Sequence, residues 1–402
     1  MKRMKYRSNR SGEPVSLMGF GCMRFAKKAG SIDMAKAEEA ILRAYELGVN
    51  YYDTAYIYLG SEAALGEILE KNGIREKVNV ATKLPQYMVK DVAGADRFFN
   101  EELKRLRTGY VDYYLMHHMT DVNQWNRLES IGMAEWLSSK KSTGQIKNAG
   151  FSFHGSTEEF LKVLNAYDWD FCQIQYNYVD ETTQAGRIGL EAAYEKGIPV
   201  IIMEPLRGGR LVQYLPEKAK RILENSPKGY TPASLAFKWL FDQPGVTCVL
   251  SGMNSAEMVE ENCRTASGCE PGCLDDEDKE LIAQVKAVLS EYEKVGCTGC
   301  RYCMPCPAGV DIPLAFHCYN MLGIEKKFSV RAEYFQSAGA KKVPAFANRC
   351  VGCGKCEKHC PQSLPIREKL KEADKALMPG PYKLGFAIAG KFMYGRKSKP
   401  AD

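Results

Sequence analysis

Residues 78–85 read VNVATKLP and residues 110–118 read YVDYYLMHH, two apolar and aromatic runs with basic side chains near their ends. Similar runs recur along the first two thirds of the chain: VSLMGFG (15–21), VNYYDTA (49–55), IKNAGFSFH (146–154), FCQIQYNYV (171–179), IPVIIMEPL (198–206) and VTCVLSG (246–252). Amphipathic helical stretches such as MAKAEEAILRAYELG (34–48) lie between them. Eight strands, each followed by a helix, within about 250 residues predict a (β/α)8 TIM barrel of the α/β class.

A doubly wound open sheet is the alternative interpretation of this alternation. Such a sheet would carry a G-x-G-x-x-G turn after its first strand, because that turn lets a dinucleotide approach the backbone. The corresponding segment here is GFGCMRF (19–25), which lacks the third glycine. The sequence therefore favours the barrel.

The composition is that of an ordinary globular protein: 402 residues, 45% hydrophobic and 26% charged. Disordered and collagen-like classes are excluded. The net charge of +6 is spread along the chain without a basic stripe, so we expect no nucleic-acid partner. The N-terminus has no apolar signal-peptide core, and GFAIAG (385–390) is too short to span a bilayer. We expect a cytoplasmic protein without a membrane span.

Fifteen cysteines are unusual for such a chain. Without secretion a disulfide framework is not expected, and metal binding becomes the better interpretation. Two tight runs, each followed by proline, hold eight of them: Cys297, Cys300, Cys303 and Cys306, then Cys350, Cys353, Cys356 and Cys360.

The second run has the C-x2-C-x2-C-x3-C-P spacing of bacterial 4Fe–4S proteins, in which the fourth cysteine ligates the other cluster. Zinc is the competing metal, but zinc sites use pairs of C-x2-C. In the first run the last gap is one residue shorter. We predict two 4Fe–4S clusters, one on Cys297, Cys300, Cys303 and Cys360, the other on Cys350, Cys353, Cys356 and Cys306.

These features divide the chain into four parts. We predict a barrel over residues 1–274, a linking helix over 275–296, a small α-helical ferredoxin-like domain over 297–375, and a basic tail over 376–402. The linking helix is indicated by an apolar stripe that includes Leu281, Val285 and Leu289, with acidic residues at its start.

Polar residues near the carboxyl ends of the strands are the candidates for chemistry in a barrel. Asp53 ends the second strand, Lys83 the third and His117 the fourth, while Tyr58 follows in the adjoining loop. Alternation along the fourth strand puts His117 and His118 on opposite faces, so only one is expected to face the barrel mouth.

These four residue types suit proton donation. A nearby Lys ammonium would stabilise a phenolate and bring the pKa of Tyr58 closer to working pH. Asp53 would hold Lys83 in its charged form, and His117 would orient a carbonyl oxygen by a hydrogen bond. Taken alone, each residue is as readily explained by an ordinary ion pair or by packing.

Over roughly residues 1–290 the sequence resembles the aldo-keto reductase family. The matching stretches, in order, are YYDTAYIYLGSEAALGEIL, ATKLP, DYYLMHH, GFSFHGS, QIQYNY, EPLRGGRL and LSGMNSAEMVEEN. The resemblance implies that Asp53, Tyr58, Lys83 and His117 form a catalytic tetrad with Tyr58 as general acid. A branch of the family carries a fused C-terminal ferredoxin-like domain, which this chain resembles from end to end.

The resemblance also implies NAD(P)H as cofactor. Its binding residues would be Ser152 and Gln173 at the carboxamide, Gly208, Gly209 and Arg210 at the pyrophosphate, and Ser251, Gly252, Glu261 and Asn262 at the adenosine end. Gly252 and Met258 stand where relatives commonly place a basic residue for the 2′-phosphate, so the choice between NADH and NADPH stays open.

Three functional hypotheses follow. The first is an oxidoreductase that transfers hydride between a nicotinamide and a small-molecule carbonyl or alcohol. The second is an electron-transfer protein whose barrel is mainly a scaffold and whose clusters exchange electrons with a redox partner protein. The third gives the clusters a purely structural role. Because hydride carries two electrons and a cluster normally one, a flavin intermediary is considered, although no flavin motif is present.

Overall fold

The chain was analysed as a computed structural model, which describes residues 3–155, 157–324, 326–339, 343–380 and 382–383. Most of the predicted basic tail lies outside the described residues. The described strands are β1 (Tyr6–Ser8), β2 (Pro14–Ser16), β3 (Met18–Gly21), β4 (Lys27–Lys28), β5 (Ser31–Ile32), β6 (Tyr51–Asp53), β7 (Asn79–Leu84), β8 (Val111–Met119), β9 (Ile146–Phe153), β10 (Phe171–Gln175), β11 (Val200–Met203) and β12 (Val246–Ser251).

The described α-helices are α1 (Met34–Glu46), α2 (Ser61–Lys71), α3 (Val92–Leu106), α4 (Val122–Ser130), α5 (Met133–Ser142), α6 (Thr157–Ala166), α7 (Gly186–Glu195), α8 (Arg210–Gln213), α9 (Glu217–Glu224), α10 (Pro232–Phe241), α11 (Ala256–Ser267), α12 (Asp276–Tyr292), α13 (Ile312–Met321), α14 (Lys327–Tyr334), α15 (Lys355–Lys358) and α16 (Ile366–Leu377). Within the described ranges, no helix combines the length and the apolar character needed to cross a membrane.

Eight parallel strands close into a barrel in the order β10–β11–β12–β3–β6–β7–β8–β9. The predicted (β/α)8 fold is therefore confirmed, and the open sheet is excluded. The short strands β1 and β2 form a separate antiparallel pair, as do β4 and β5.

Aromatic side chains fill the barrel interior. The ring of Tyr113 on β8 lies 4.9 Å from that of Tyr51 on β6 and 5.0 Å from that of Phe171 on β10. These side chains come from alternate strands and are buried with Leu115 and Ile201, which is how the layers of such a barrel are built. The interior is thus a packed core, and space for a ligand is expected at the carboxyl ends of the strands.

The chain separates into two compact units. The first combines the residues up to Leu206 with Tyr230–Ile282 and contains all eight barrel strands. The second combines Arg207–Gly229 with the residues from Ala283 onward. This division differs from the predicted limits, because a segment inside the predicted barrel range groups with the C-terminal part of the chain.

The second unit is helical around its own core, as predicted for the C-terminal domain. Phe316 and Cys318 of α13, Val330 and Tyr334 of α14, and Leu370 of α16 are buried together. The hydroxyl of Tyr334 accepts the Ala347 N–H at 2.8 Å. The core is small, and several cysteines of the two runs pack against it.

Gly66 marks the closest approach between α2 and α3. A Cβ at this position would lie 2.5 Å from the Leu106 carbonyl carbon and 2.6 Å from the Arg105 oxygen, both backbone atoms that cannot move independently of the helix. Alanine normally stabilises a helix by up to about 1 kcal/mol relative to glycine. Here the steric overlap outweighs that gain.

We expect Gly66→Ala to lower the free energy of unfolding of the barrel by about 1–3 kcal/mol. All four tryptophans lie in the first unit, so urea unfolding followed by tryptophan fluorescence measures this unit. Gly109→Ala is the matched control, because a Cβ there meets nothing within 4 Å. It should change stability by no more than about 0.5 kcal/mol. Equal effects in the two variants would contradict the argument.

Candidate functional site

A buried ion pair lies at the carboxyl ends of neighbouring strands β6 and β7. The Lys83 ammonium donates hydrogen bonds to Asp53 Oδ1 and, at 2.7 Å, to the Thr54 carbonyl. The second oxygen of Asp53 accepts from Gln173 Nε2 at 2.9 Å. Lys83 and Asp53 are only 1% and 5% exposed. Two charges so far from water persist because each has a partner of opposite charge and further hydrogen bonds.

Tyr58 lies in the loop between β6 and α2, and this loop is fixed at both ends. The Thr54 N–H donates to the Ala81 carbonyl at 2.8 Å, which continues the pairing of β6 with β7. At the other end, the hydroxyls of Thr54 and Ser61 are 2.8 Å apart, and Ser61 Oγ donates to the Cys22 carbonyl. Because both ends of the loop are held by hydrogen bonds, Tyr58 has a defined position.

The structure brings the four predicted catalytic residues together. Lys83 Nζ lies 5.0 Å from the centre of the Tyr58 ring, over its face. The ring of His117 lies 5.9 Å from that of Tyr58, with the two planes nearly perpendicular at 86°. Asp53 forms an ion pair with Lys83. A phenol, an imidazole and an ammonium thus share the barrel mouth.

The geometry changes one expectation about Tyr58. Burial raises the pKa of the Tyr58 phenol, and the carboxylates of Asp53 and Glu204 raise it further, against a smaller lowering effect of Arg24. The expectation that the Lys83 ammonium brings this pKa toward neutrality is not met, because the ammonium lies over the ring face and is paired with Asp53. Tyr58 is therefore an acid that stays protonated.

His117 is held in its neutral form. Burial lowers the pKa of its imidazole well below the usual value, and the Lys83 ammonium adds to the effect. Its Nδ1 atom is buried with no hydrogen-bond partner among the described residues. A neutral imidazole can donate from one nitrogen and accept at the other, so His117 retains hydrogen-bonding capacity that this part of the protein does not use.

The end of β8 is irregular, so simple alternation does not decide where the two histidines point. The register with β9 shifts between Met116 and Met119, and His118 adopts a left-handed backbone with φ of +59°. The His118 N–H donates to Ser152 Oγ at 2.8 Å. Its ring lies 4.8 Å from the ring of His154. The imidazoles of His117 and His118 are electrostatic neighbours as well.

Three residues of this mouth were missed by sequence reasoning: Arg24, Glu204 and His154. Arg24 follows β3, is exposed, and its side chain lies 3.2 Å from the position of a Cβ on Gly252. Glu204 follows β11 with a left-handed φ of +50°. His154 follows β9 and contacts Gln184 at 3.2 Å. Each lies within three residues of the carboxyl end of a barrel strand, which is the pattern that could have found them.

The residues assigned to the cofactor by resemblance fall into three groups. Ser152 and Gln173 are buried; Ser152 accepts from the His118 N–H, and Gln173 donates to Asp53, one of the four predicted catalytic residues. At the other predicted end, Asn262 donates to Ser251 at 3.2 Å, and Glu261 accepts from the Thr231 hydroxyl. Gly208, Gly209 and Arg210 belong to the second compact unit, where Arg210 donates to the Cys297 carbonyl. Their role in phosphate binding stays a prediction.

The first cysteine run forms a cavity with the last cysteine of the second run. Cys297, Cys300, Cys303 and Cys360 line one small pocket, together with Phe316 and other apolar side chains. Burial and these three neighbouring thiols raise the pKa of the Cys303 thiol to about 12. The four thiols that share the cavity are the ones predicted to ligate one cluster.

A further observation fits an iron–sulfur cluster in this cavity. The Thr298 hydroxyl lines it, is buried, and has no hydrogen-bond partner in the described part of the chain. Hydrogen bonds to the sulfurs of a cluster are a normal feature of such sites. The described residues contain no group of three His, Cys, Asp or Glu side chains arranged around a single metal ion.

Two cysteines of the second run also lie near each other. Cys350 is an electrostatic neighbour of Cys356, and both lie near the Arg367 guanidinium. The Arg349 side chain donates to the Ala308 carbonyl at 3.2 Å, which places the start of the second run beside the segment that follows Cys306. Cys353 is the exposed member of the eight.

Several known proteins resemble about two thirds of the chain. L-galactose dehydrogenase from Arabidopsis thaliana is 26% identical over 71% of this chain and 94% of its own length. An aldo-keto reductase from Mycolicibacterium vanbaalenii is 28% identical over 66% of this chain and 86% of its own. The solved holo form of aldo-keto reductase AKR11C1 from Bacillus halodurans has a TM-score of 0.58 and 25% identity, covering 70% of this chain and 96% of that one.

Two protein families match the chain, one over the barrel and one over the cysteine runs. The aldo/keto reductase family matches residues 17–285, and a 4Fe–4S dicluster domain matches residues 296–364. The first match covers most of the chain and contains Asp53, Tyr58, Lys83 and His117. The second contains all eight cysteines of the two runs. The chain therefore belongs to the aldo/keto reductase family, as an oxidoreductase that carries a C-terminal 4Fe–4S domain.

Proposed function

We propose that this oxidoreductase interconverts a small-molecule carbonyl and the corresponding alcohol, with Tyr58 as the general acid and base. The observation that carries the proposal is the position of the Tyr58 ring, which lies close to both the Lys83 ammonium and the His117 imidazole at the mouth of a closed barrel. Family membership supports a small-molecule substrate. The name of the Arabidopsis relative, a dehydrogenase, is consistent with this chemistry.

In the reduction direction the chain supplies a proton and a polarising environment. Tyr58 donates its phenolic proton to the carbonyl oxygen as negative charge develops there. His117, neutral and with unused hydrogen-bonding capacity, orients that oxygen. Lys83 contributes a fixed positive charge in a site shielded from water, where such a charge acts more strongly than in solution.

We propose NAD(P)H as the cofactor, which when bound supplies the hydride. Ser152 fits the carboxamide, because its oxygen already accepts from His118 and its own proton can be donated. Gln173 is fixed by Asp53 next to it. We assign the remaining contacts to Gly208, Gly209 and Arg210 for the pyrophosphate, and to Ser251, Gly252, Glu261 and Asn262 for the adenosine end.

We propose two 4Fe–4S clusters in the C-terminal domain. The first would be held by Cys297, Cys300, Cys303 and Cys360, which share one cavity. The second would be held by Cys350, Cys353, Cys356 and Cys306. Support comes from the spacing of the runs, the buried Thr298 hydroxyl and the dicluster family match.

Electron exchange with a redox partner protein is a second candidate function, and the exposure of Cys353 favours it. A cluster with a ligand at the surface is accessible to a partner's redox centre. In this interpretation the barrel has little reductase activity of its own. A flavin that joins two-electron and one-electron chemistry remains part of this second proposal, and no residue is assigned to it.

Tyr58→Phe removes the proton donor while keeping the ring. We expect kcat for reduction of aldehydes by NADH or NADPH to fall by about 10²–10⁴-fold, with a smaller change in KM. Steady-state absorbance of the nicotinamide measures it. Tyr194→Phe is the matched control, since Tyr194 is exposed on α7 and should keep full activity.

Two results would contradict this assignment. One is a Tyr58→Phe variant as active as the parent. The other is a cluster-replete protein that turns over no carbonyl, while its clusters are bleached by a reduced ferredoxin and not by NADH or NADPH. The latter result would favour the electron-transfer function instead.

The raised pKa of Tyr58 and the lowered pKa of His117 predict a broad pH plateau. The active form for reduction has Tyr58 protonated and His117 neutral. Raising the pH to about 9 does not yet ionise Tyr58, and lowering it to about 6 does not yet protonate His117. We expect kcat/KM for carbonyl reduction to be flat across this range. An alkaline decline with a midpoint near pH 8 that shifts in Lys83→Met would show that the ammonium does acidify Tyr58.

Cys303→Ala should remove one cluster and leave the other. Anaerobically purified parent protein is expected to hold about eight iron atoms per chain, and the variant about four. Iron and sulfide analysis measures this, with Cys318→Ala, a buried cysteine of α13 outside both runs, as control. Full iron retention in Cys303→Ala would exclude Cys303 as a ligand.

A further inference from the structure

Two cysteines, Cys269 and Cys273, form a pair that neither the barrel mouth nor the cluster domain uses. Cys269 follows the end of α11, and Cys273 precedes α12 by three residues. Both belong to the first compact unit. They are separated by Glu270, Pro271 and Gly272, all of which are exposed.

A tight turn brings the two residues together. The Cys273 N–H donates to the Glu270 carbonyl at 3.1 Å, and Gly272 has a φ of +78°, which favours glycine in this position. The Gly272 N–H donates to the Asp242 carbonyl at 3.1 Å, so the turn is fixed to the end of α10. The proximity of the thiols is thus part of the folded structure.

The two thiols are close enough to influence each other's pKa, and their environments differ. Cys269 is 4% exposed, whereas Cys273 is partly exposed. The hydrogen bond from Cys269 lowers the pKa of Cys273 to about 7, and the Lys238 ammonium contributes. The same hydrogen bond and burial raise the pKa of the Cys269 thiol. Cys273 is therefore the more acidic and more accessible thiol of the pair, and Cys269 is the less acidic and buried one.

We propose that Cys269 and Cys273 form a reversible redox modification site, which a low-molecular-weight disulfide converts to an intramolecular disulfide. Cys273 is the attacking sulfur, since it is the accessible member of the pair, and Cys269 is the resolving sulfur, since it is buried against it.

The exchange balances without any further reactant. The Cys273 thiolate attacks one sulfur of the small disulfide, a mixed disulfide forms, and one small thiolate leaves. The Cys269 sulfur then attacks the Cys273 sulfur of the mixed disulfide, its proton passes to solvent or to the departing sulfur, and the second small thiolate leaves. Two protein thiols are oxidised, and one disulfide is reduced to two thiols.

The other buried cysteines of the barrel unit contrast with this pair. Cys22, Cys172, Cys248 and Cys263 are each buried, and burial raises the pKa of each thiol. Buried thiols of this kind are inert toward small disulfides. The chain thus provides internal controls for the test.

The pair also stands where two helices are joined. Cys273 Sγ donates to the Lys238 carbonyl of α10 at 3.9 Å, and the Lys238 ammonium pairs with the buried Asp278 of α12 at 2.6 Å. Asp242 accepts from the N–H of Leu274 through its side chain. Oxidation of Cys273 would remove its hydrogen bond to α10, at the point where α12 begins.

Trypsin releases Cys269 and Cys273 together on one peptide. Cleavage after Arg264 and Lys279 gives the peptide TASGCEPGCLDDEDK, residues 265–279, which contains these two cysteines and no others. The folded, cluster-replete protein is incubated anaerobically with glutathione disulfide, unfolded, alkylated and digested. We expect the peptide to lack both alkyl groups and to be lighter than the reduced peptide by two hydrogens. The peptide that contains Cys263 should remain alkylated.

Single variants separate the two roles. In Cys269→Ser the resolving sulfur is absent, and we expect Cys273 to keep a bound glutathione. In Cys273→Ser we expect Cys269 to remain alkylated and unmodified. Tryptophan fluorescence checks that both variants are folded. A parent peptide alkylated at both cysteines after excess glutathione disulfide, or modification of Cys269 in Cys273→Ser, would overturn the proposal.

Discussion

The buried pair of Lys83 and Asp53 is the constraint on which the candidate site depends. An ammonium without a partner in this position would cost several kcal/mol, so the strands that carry the two groups must keep them in contact. Asp53 is held in turn by Gln173 from β10, and Lys83 also binds the carbonyl of Thr54. One charge requirement thereby fixes the ends of β6, β7 and β10, and with them the start of the loop that carries Tyr58.

Much of this arrangement could be predicted because it follows from local pattern and topology. Apolar runs alternating with amphipathic helices imply a closed parallel barrel, and a barrel gathers the carboxyl ends of its strands at one mouth. Asp53, Lys83 and His117 could be placed there for that reason alone. The C-terminal 4Fe–4S domain could be predicted from the sequence as well, since the spacing of the two cysteine runs is short and specific.

The remaining features depend on geometry that a sequence does not display. Alternation fails at the end of β8, because the register shifts before Met119 and His118 turns to a left-handed backbone. The pKa of Tyr58 depends on the sum of burial and several charges, and the carboxylate of Glu204 comes from a strand about 150 residues away in sequence. Arg24 and His154 follow other strands of the barrel, and their nearness to the site follows only from its closure.

Residues 207–229 lie between barrel strands in the sequence. In the structure they contact residues from the C-terminal part of the chain. Arg210 binds the Cys297 carbonyl, Arg207 pairs with Glu293 at 2.5 Å, and the ring of Tyr214 lies 4.6 Å from that of His317. A shortened chain that ends before Ala283 would keep this segment and lose the surface that covers it. No single cut in the polypeptide therefore yields both compact units whole.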